Sequence, residues 1–301
     1  MQRKVTYRIS ESDAGQTIEE FLKQRGCSRK LLRRLKQMPD GICLGDQGVR
    51  KTRRLQAGDQ LTICVRDETP SPNTEPEPIP LSIVYEDEDL IVLDKPAGLA
   101  VHSSMGHHTH TVANALAYHL GGAEDPYVCR IMNRLDRNTS GLMIAAKNVI
   151  SAGILAQMDV ERMYLALADG LVPEKGTIQA PIARKDGSIL ERCVHETKGK
   201  PAVTHFRRLA FDGSLSLVMI KLETGRTHQI RVHMKYLGHP LPGDFLYHPD
   251  FSRIGRQALH AYRLDFRHPL KPQRLSLTAA IPEDFCRAFH GEIPPIPSFW
   301  T

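Results

Sequence analysis

The stretch Asn133-Arg134-Leu135-Asp136-Arg137-Asn138-Thr139-Ser140-Gly141 places one carboxylate between two arginines and ends in a small, polar turn. The apolar run 142–146 follows at once and predicts a buried strand. Neighbouring cations favour the ionised form of a carboxyl group, so Asp136 is a candidate catalytic residue beside the protein core. On this spacing alone, a structural ion pair in a loop is the better interpretation.

The composition indicates a globular protein with one large and one small domain. The chain has 301 residues, of which 41% are hydrophobic and 25% are charged, and this is enough for a substantial core. We expect no transmembrane helix, because no apolar run reaches about eighteen residues. The N-terminus also lacks the apolar segment of a signal peptide. Six cysteines without CxxC spacing favour reduced thiols in a cytoplasmic protein.

Positive charge is concentrated at the N-terminal end. Residues 1–66 hold 15 Lys and Arg against 7 Asp and Glu, whereas the rest of the chain has a net charge of −2. A basic module on a near-neutral body favours a nucleic-acid-binding appendage. A basic face that only keeps the protein soluble would give the same count.

Two short helices are predicted in this module. Thr17 and Glu20 have capping-box spacing ahead of the first helix, and Ser28 can cap the second helix, over 29–37. The second helix would turn its leucines inward and expose a basic stripe at helical spacing. The stripe consists of Arg29, Lys30, Arg33 and Arg34.

A proline-rich segment separates the module from the remainder. Residues 69–80 contain five prolines, which predicts an extended, semi-rigid spacer. We therefore divide the chain into a basic module (1–66), a linker (67–81) and a larger domain (82–301). The larger domain mixes predicted strands (90–93, 163–167, 215–219) with predicted helices (112–120, 150–158, 227–237). The expected class is α+β, with a mixed, mainly antiparallel sheet.

Three further motifs accompany the Asp136 stretch. They are DKPAGL (94–99) with VH (101–102), TGRTHQIRVH (224–233) with LGHP (237–240) and GD (243–244), and LHAYRL (259–264) before HP (268–269). With residues 133–141 they closely resemble, in order, the signatures of the RluA family of pseudouridine synthases. The resemblance extends from about residue 80 to about residue 290 and implies the pseudouridine synthase fold. The N-terminal module resembles the ribosomal-protein-S-four type of RNA-binding domain.

The resemblance implies an isomerase that breaks the glycosidic bond of a uridine and rejoins the base through carbon 5. Asp136 would be the catalytic residue, Arg231 its ionic partner, and Tyr164 the side chain that stacks on the flipped base and relays a proton. Without the resemblance, Arg231 could be a phosphate contact and Tyr164 a half-buried strand residue. An electron-poor sugar needs a nearby anion, much as in glycosidases.

The same motifs suggest substrate-binding residues, namely Arg134, Arg226, His228 and Gln229. Arg134 would displace the target base and fill its place, although a simple phosphate contact explains an arginine there as well. Two positions depart from the family pattern. Asn133 replaces the usual histidine, and Arg162 replaces the usual lysine.

Neither a cofactor nor a metal is expected. His102, His107, His108 and His110 could suggest zinc, but no cysteine or acid accompanies them at ligand spacing. The expected partner is RNA, either rRNA or tRNA, and the expected state is a monomer without membrane association. One alternative is a non-catalytic RNA-binding or ribosome-assembly protein with this fold. A glycosidase would need a second carboxylate, and a zinc deaminase would need HxE with CxxC.

Overall fold

Two β-sheets organise the protein, one built from residues before 67 and one from residues after 82. The structure is a computed structural model that describes residues 2–66, 71, 74–103, 109–121 and 127–297. A short separate hairpin completes the sheet structure of these residues. Part of the predicted linker, 67–70 and 72–73, lies outside the described residues.

The N-terminal module is a four-stranded antiparallel sheet covered by two helices. Its elements are β1 (Gln2–Arg8), α1 (Ile18–Gln24), α2 (Arg29–Gln37), β2 (Ile42–Leu44), β3 (Gln47–Gly48) and β4 (Gln60–Arg66). The strand order is β1-β4-β2-β3. Both predicted helix caps are present, because Thr17 and Glu20 form a capping box and the Ser28 side chain accepts from the backbone N–H of Leu31.

The larger domain contains a nine-stranded sheet with helices packed against it. Its helices are α3 (Val112–Leu120), α4 (Val149–Leu155), α5 (Gln229–Tyr236) and α6 (Glu283–Ala288). Its strands are β5 (Ile83–Glu86), β6 (Leu90–Lys95), β7 (Ser140–Ala146), β8 (Glu161–Asp169), β9 (Lys175–Gln179), β10 (Ile182–Arg184), β11 (Arg192–Val194), β12 (Val203–Phe211), β13 (Leu215–Leu222), β14 (Leu259–Arg267) and β15 (Arg274–Thr278). β10 and β11 form the separate hairpin.

The strand order of the large sheet is β5-β6-β7-β14-β8-β13-β12-β9, with β15 paired to β14. Each pair is antiparallel except β7 with β14, which run parallel. The predicted α+β class with a mixed, mainly antiparallel sheet is therefore confirmed. Two predicted helices have different bounds: α4 ends at Leu155 rather than at 158, and α5 begins at Gln229 rather than at 227.

The N-terminal module packs directly against the larger domain. Ile150 and Ile154 of α4 lie in the same apolar cluster as the core of the module. Arg3 of β1 makes two hydrogen bonds, of 2.8 and 3.0 Å, to the Asp89 carboxylate, which is fully buried. Removing the module would therefore expose apolar surface and leave a buried carboxylate without its cation.

The strand that follows the Asp136 loop is buried on both faces. Met143 and Ala145 of β7 pack into one apolar cluster, whereas Leu142 and Ile144 pack into another on the opposite side of the sheet. Burial on both sides explains why the run 142–146 is continuously apolar instead of alternating. The loop that carries Asp136 thus leads directly into the centre of the fold.

Gly141 allows β7 and β14 to approach each other. Its φ is +108°, and a Cβ atom built there would lie 2.2 Å from the backbone oxygen of Ala261. Ala261 is its partner in the parallel pairing. Only glycine fits both the backbone conformation and the close contact.

Within the described residues, the helices are too short or too polar to cross a bilayer.

Gly141→Ala should destabilise the protein strongly, because the added methyl group meets the backbone of β14. Gly187→Ala is a matched control, since Gly187 also has a positive φ of +76° but has nothing within 4 Å of a built Cβ. We expect Gly141→Ala to lower the free energy of unfolding by about 2 kcal/mol more than the control, as measured by urea denaturation followed by circular dichroism. Equal losses in the two variants would show that the close approach carries no energetic weight.

Candidate active site

A cavity of about 600 Å³ lies where the Asp136 loop, β8 and the start of α5 meet. All seven residues predicted to act in catalysis or substrate binding line it. They are Asp136, Tyr164, Arg231, Arg134, Arg226, His228 and Gln229. Residues distant in sequence thus converge on one concave site.

The Asp136 carboxylate is presented at the wall of this cavity. A backbone hydrogen bond of 3.0 Å from the Thr139 N–H to the Asp136 oxygen closes the turn just before β7. The side chain of Asp136 is 27% exposed, and its Oδ2 accepts a 2.7 Å hydrogen bond from Nη1 of Arg231. The carboxylate is therefore anchored through one oxygen while the group remains accessible from the cavity.

Arg231 is anchored by a second carboxylate, Asp244. The Nε and Nη2 atoms of Arg231 each donate a 2.7 Å hydrogen bond to Asp244, one to each oxygen. Burial opposes the charge, but Asp244 and Asp136 together outweigh it and raise the pKa of Arg231 above its ordinary value. Because the Nε and Nη2 atoms of Arg231 are bound to Asp244, the position of Nη1 is fixed, and Nη1 donates to the Asp136 loop.

Asp244 had no assigned role in the sequence, although it lies in the GD pair of the third motif. It is wholly buried, and its Oδ1 also accepts from the backbone N–H groups of Leu246 and Tyr247. One sequence signal could have marked Asp244 as a site residue: it follows a glycine shortly after the helix that carries Arg231. The pairing itself depends on the tertiary fold.

The first motif holds the Asp136 loop through buried Lys95. The Lys95 Nζ donates to the backbone oxygens of Pro96, Leu99 and Arg137, at 2.7, 2.9 and 3.0 Å. Burial lowers the pKa of Lys95 to about 7, but three carbonyl acceptors require three protons and so favour the ammonium form. Gly98 and Arg137 add two reciprocal hydrogen bonds of 2.9 Å each.

Tyr164 of β8 lines the cavity. The residue is only 6% exposed, and within the described residues its hydroxyl makes no hydrogen bond. Burial raises its pKa, against the opposing influence of nearby Arg162, so the neutral phenol is favoured. An apolar ring with one unused polar group suits contact with a base.

The other predicted substrate-binding residues differ in how free they are. Arg134 is exposed and forms no hydrogen bond or ion pair within the described part of the chain, so it is available to a ligand. The Nε of Arg226 donates a 2.9 Å hydrogen bond to the backbone oxygen of Pro201. Gln229 uses its amide fully inside the protein, with four hydrogen bonds of 2.9 to 3.0 Å. A substrate role for these three residues stays a prediction.

His228 lies between Asp136 and a tyrosine that the sequence did not indicate. Its Nε2 is 3.8 Å from the Asp136 Oδ2, and its Nδ1 is 2.9 Å from the Tyr247 hydroxyl. Its backbone is left-handed, with φ of 58°. Burial lowers the pKa of His228, which favours the neutral ring.

Asn133, where the family usually has histidine, faces the sheet. Its Nδ2 donates a 3.2 Å hydrogen bond to the backbone oxygen of Leu142, and its Oδ1 accepts a 2.7 Å hydrogen bond from the backbone N–H of Ile144. The amide therefore substitutes for a strand partner of β7 and fixes the start of the Asp136 loop. The other departure, Arg162, lines the cavity two residues before Tyr164.

One cluster of potential metal ligands occurs among the described residues, Asp87, Asp89 and His268. The carboxylates of this cluster already bind cations of the protein. Asp87 accepts a 2.6 Å hydrogen bond from Lys271, and Asp89 accepts a hydrogen bond from Arg3. His102 and His110 are not in such a group within this part of the chain, and His107 and His108 lie outside the described residues. The absence of a metal stays a prediction.

The basic stripe lies on the outer face of α2. Arg29, Lys30 and Arg33 are exposed, whereas Arg34 is partly covered and donates to the backbone oxygen of Arg66. Leu31, Leu32 and Leu35 are buried on the opposite face, as predicted. Three cations are thus displayed side by side.

Comparison with known proteins gives consistent matches. A family model described as RNA pseudouridylate synthase matches residues 89–236. The uncharacterized RNA pseudouridine synthase YjbO of Bacillus subtilis is 37% identical over 92% of this chain and 99% of that protein. Ribosomal large subunit pseudouridine synthase D of Neisseria meningitidis is 39% identical over 81% of this chain and 69% of that protein.

A solved structure agrees in fold as well as in sequence. Human RNA pseudouridylate synthase domain containing 1 superposes with a TM-score of 0.55 at 29% identity, covering 71% of this chain and 87% of that one.

The stability of the site should depend on pH through His260. The His260 Nδ1 lies 2.9 Å from the Ser140 Oγ at the start of β7, and burial, followed by nearby Arg256, lowers the pKa of His260 to about 4. The unfolded chain takes up this proton near the ordinary pKa of 6.5, so stability should fall as the pH drops from 6.5 to 4.

His260→Asn can keep the bond to Ser140 but cannot be protonated. Between pH 6.5 and 4, the His260→Asn protein should lose less free energy of unfolding than the wild type does. The difference between the two losses should be up to about 3 kcal/mol, as measured by urea denaturation at several pH values. Parallel curves for the two proteins would contradict the assignment.

Proposed function

The chain belongs to the RluA family of RNA pseudouridine synthases, and we propose that Asp136 is the residue through which it isomerises uridines in structured RNA. The enzyme is an isomerase that converts uridine to pseudouridine. The observation that carries the proposal is the 2.7 Å ion pair between the accessible Asp136 carboxylate and buried Arg231 at the cavity wall.

The reaction needs an anion beside the ribose. The bond between carbon 1 of the sugar and nitrogen 1 of the base breaks, and the same sugar carbon is rejoined to carbon 5 of the base. Carbon 5 loses a proton and nitrogen 1 gains one, so no redox change occurs and no cofactor is required. A carboxylate at Asp136 serves both a direct attack on the sugar and an assisted glycal route.

Arg231 would keep the carboxylate correctly placed. The carboxylates of Asp244 and Asp136 are both bound by the guanidinium of Arg231, whose side chain is 2% exposed. A carboxylate that is held in place by a buried guanidinium needs little reorganisation when charge develops on the sugar. This arrangement also argues against a non-catalytic RNA-binding protein, because binding alone gives no reason to bury a cation between two acids.

The remaining cavity residues would handle the displaced base. Extruding a nucleotide from its stack costs a few kcal/mol, which contacts to the protein must offset. Tyr164 offers a ring and an unused hydroxyl, so we assign it stacking and proton relay. Arg134 is free and exposed at the same cavity, so we assign it the space that the base vacates.

Large-subunit ribosomal RNA is the substrate class we favour, with tRNA as the alternative. The relative from Neisseria meningitidis is named a ribosomal large subunit pseudouridine synthase and aligns over 81% of this chain. We further propose that residues 1–66 are an RNA-binding domain of the ribosomal-protein-S-four type, that 67–81 link it to the catalytic domain (82–301), and that the enzyme acts in the cytoplasm as a monomer without cofactor or metal.

Asp136→Asn should abolish turnover while RNA binding survives. The amide keeps the size of the side chain but can neither attack nor stabilise the sugar at a useful rate. Turnover can be measured as tritium release from RNA labelled at carbon 5 of uridine, and binding by filter retention. Asp186→Asn is the control, because the Asp186 side chain is 82% exposed on the β10–β11 hairpin.

The same two variants can identify the substrate in cells that lack the native gene. When pseudouridines are mapped in total RNA, those lost with the gene should reappear with the Asp186→Asn protein and not with the Asp136→Asn protein. The RNA that contains the restored pseudouridine is then identified as the substrate. Modification of that site by the Asp136→Asn protein would contradict the proposed mechanism.

Replacing Arg29, Lys30 and Arg33 by Gln should weaken RNA binding. Fewer phosphate counterions would be released, so the slope of log affinity against log salt should flatten by about 2 to 3. Substitution is preferable to truncation, because the module shares its apolar core with α4. The control removes three exposed charges from the other domain, at Arg267, Arg274 and Arg287. Equal effects of the two triple variants would contradict a specific role for the stripe.

A further inference from the structure

The Tyr247 hydroxyl has two partners, and together they determine where its proton lies. It accepts a 2.8 Å hydrogen bond from the backbone N–H of Arg192, and it is 2.9 Å from the Nδ1 of His228. The residue is 6% exposed. Because the hydroxyl has no other partner among the described residues, its proton is satisfied only if it points to His228.

A hydrogen bond donated to Nδ1 selects one tautomer of the neutral imidazole. Nδ1 must carry the lone pair, so Nε2 must carry the proton. The Nε2 of His228 is 3.8 Å from the Asp136 Oδ2. The opposite tautomer would turn a lone pair toward a carboxylate and leave the Tyr247 proton buried without an acceptor, so both neighbours favour the same form.

We propose that Tyr247 is a positioning residue that fixes His228 as the Nε2–H tautomer and thereby presents a neutral donor to Asp136 at the cavity wall. The inference rests on the proposed role of Asp136. At 3.8 Å the Nε2–H acts on the carboxylate through its dipole rather than through a hydrogen bond, and it adds no second full positive charge beside Asp136. Arg231 already supplies one such charge at 2.7 Å. No proton is transferred to or from His228 in this role.

The backbone of His228 supports a positional role. Its φ of 58° and ψ of 17° are left-handed values that residues with a side chain rarely adopt. The next residue, Gln229, secures this conformation by donating its backbone N–H to Arg226 and by its four side-chain hydrogen bonds. An uncommon backbone conformation at a residue that lines the cavity supports the inference that the direction of the His228 ring matters.

The Tyr247 ring has a separate contact that a careful variant must preserve. The guanidinium carbon of Arg231 lies 4.9 Å from the centre of the ring. Tyr247→Phe keeps this cation–π contact and removes only the hydroxyl. Burial raises the pKa of Tyr247 to about 12, so the wild-type hydroxyl keeps its proton at neutral pH.

The test combines a direct reading of the tautomer with kinetics, using the full-length protein. Long-range proton–nitrogen correlation of protein labelled with nitrogen-15 in histidine separates the two tautomers, and loss of signals in His228→Asn assigns the residue. Wild type should show the Nε2–H form, and Tyr247→Phe should show a mixture. With substrate RNA, kcat should fall about tenfold and KM should change less than twofold.

Tyr236→Phe is the matched control, since its ring is 60% exposed at the end of α5; its tautomer signals and kcat should equal those of wild type. An Nδ1–H signal in wild type, or an unchanged tautomer in Tyr247→Phe, would overturn the inference. So would an unchanged kcat. The tautomer can be read without an active enzyme. A failure of the proposed Asp136 mechanism would instead be recognised because the Asp136→Asn protein would still turn over RNA.

Discussion

The ion bridge from Asp136 through Arg231 to Asp244 is the interaction on which the site depends. One buried guanidinium binds a carboxylate in the turn before β7 and another after α5, at 2.7 Å in each of its three hydrogen bonds. Loss of the guanidinium would leave Asp244 wholly buried with only backbone donors, which is strongly unfavourable. In the proposed mechanism, Arg231 therefore serves both the chemistry and the stability of the protein.

The sheet is arranged so that this bridge can form. The parallel pairing of β7 with β14, made possible by the absent side chain of Gly141, sets the end of the Asp136 loop against the closing strand. Lys95 binds the other side of the same loop through three backbone oxygens. The Asp136 carboxylate, which we propose to be catalytic, thus lies on a turn that is held from two directions.

Features encoded locally could be predicted from the sequence, and features created by tertiary contact could not. The caps at Thr17 and Ser28 depend on residues three positions away, and the Asp136 motif carries a strong family signature. Asp244 and Tyr247 gained their roles only when folding brought them to Arg231 and His228. β1 had no predicted strand, because its polar, outward-facing positions hide the alternation around Val5 and Tyr7.

The docking of the N-terminal module has an evolutionary consequence. The catalytic domain supplies Asp89, Ile150 and Ile154 to a contact that the module completes with Arg3 and its own apolar core. A recombination event that exchanged the module for an unrelated one would uncover a buried acid and an apolar helix face at once. An exchange of the module would therefore be tolerated only with matching substitutions at Asp89 and on the apolar face of α4.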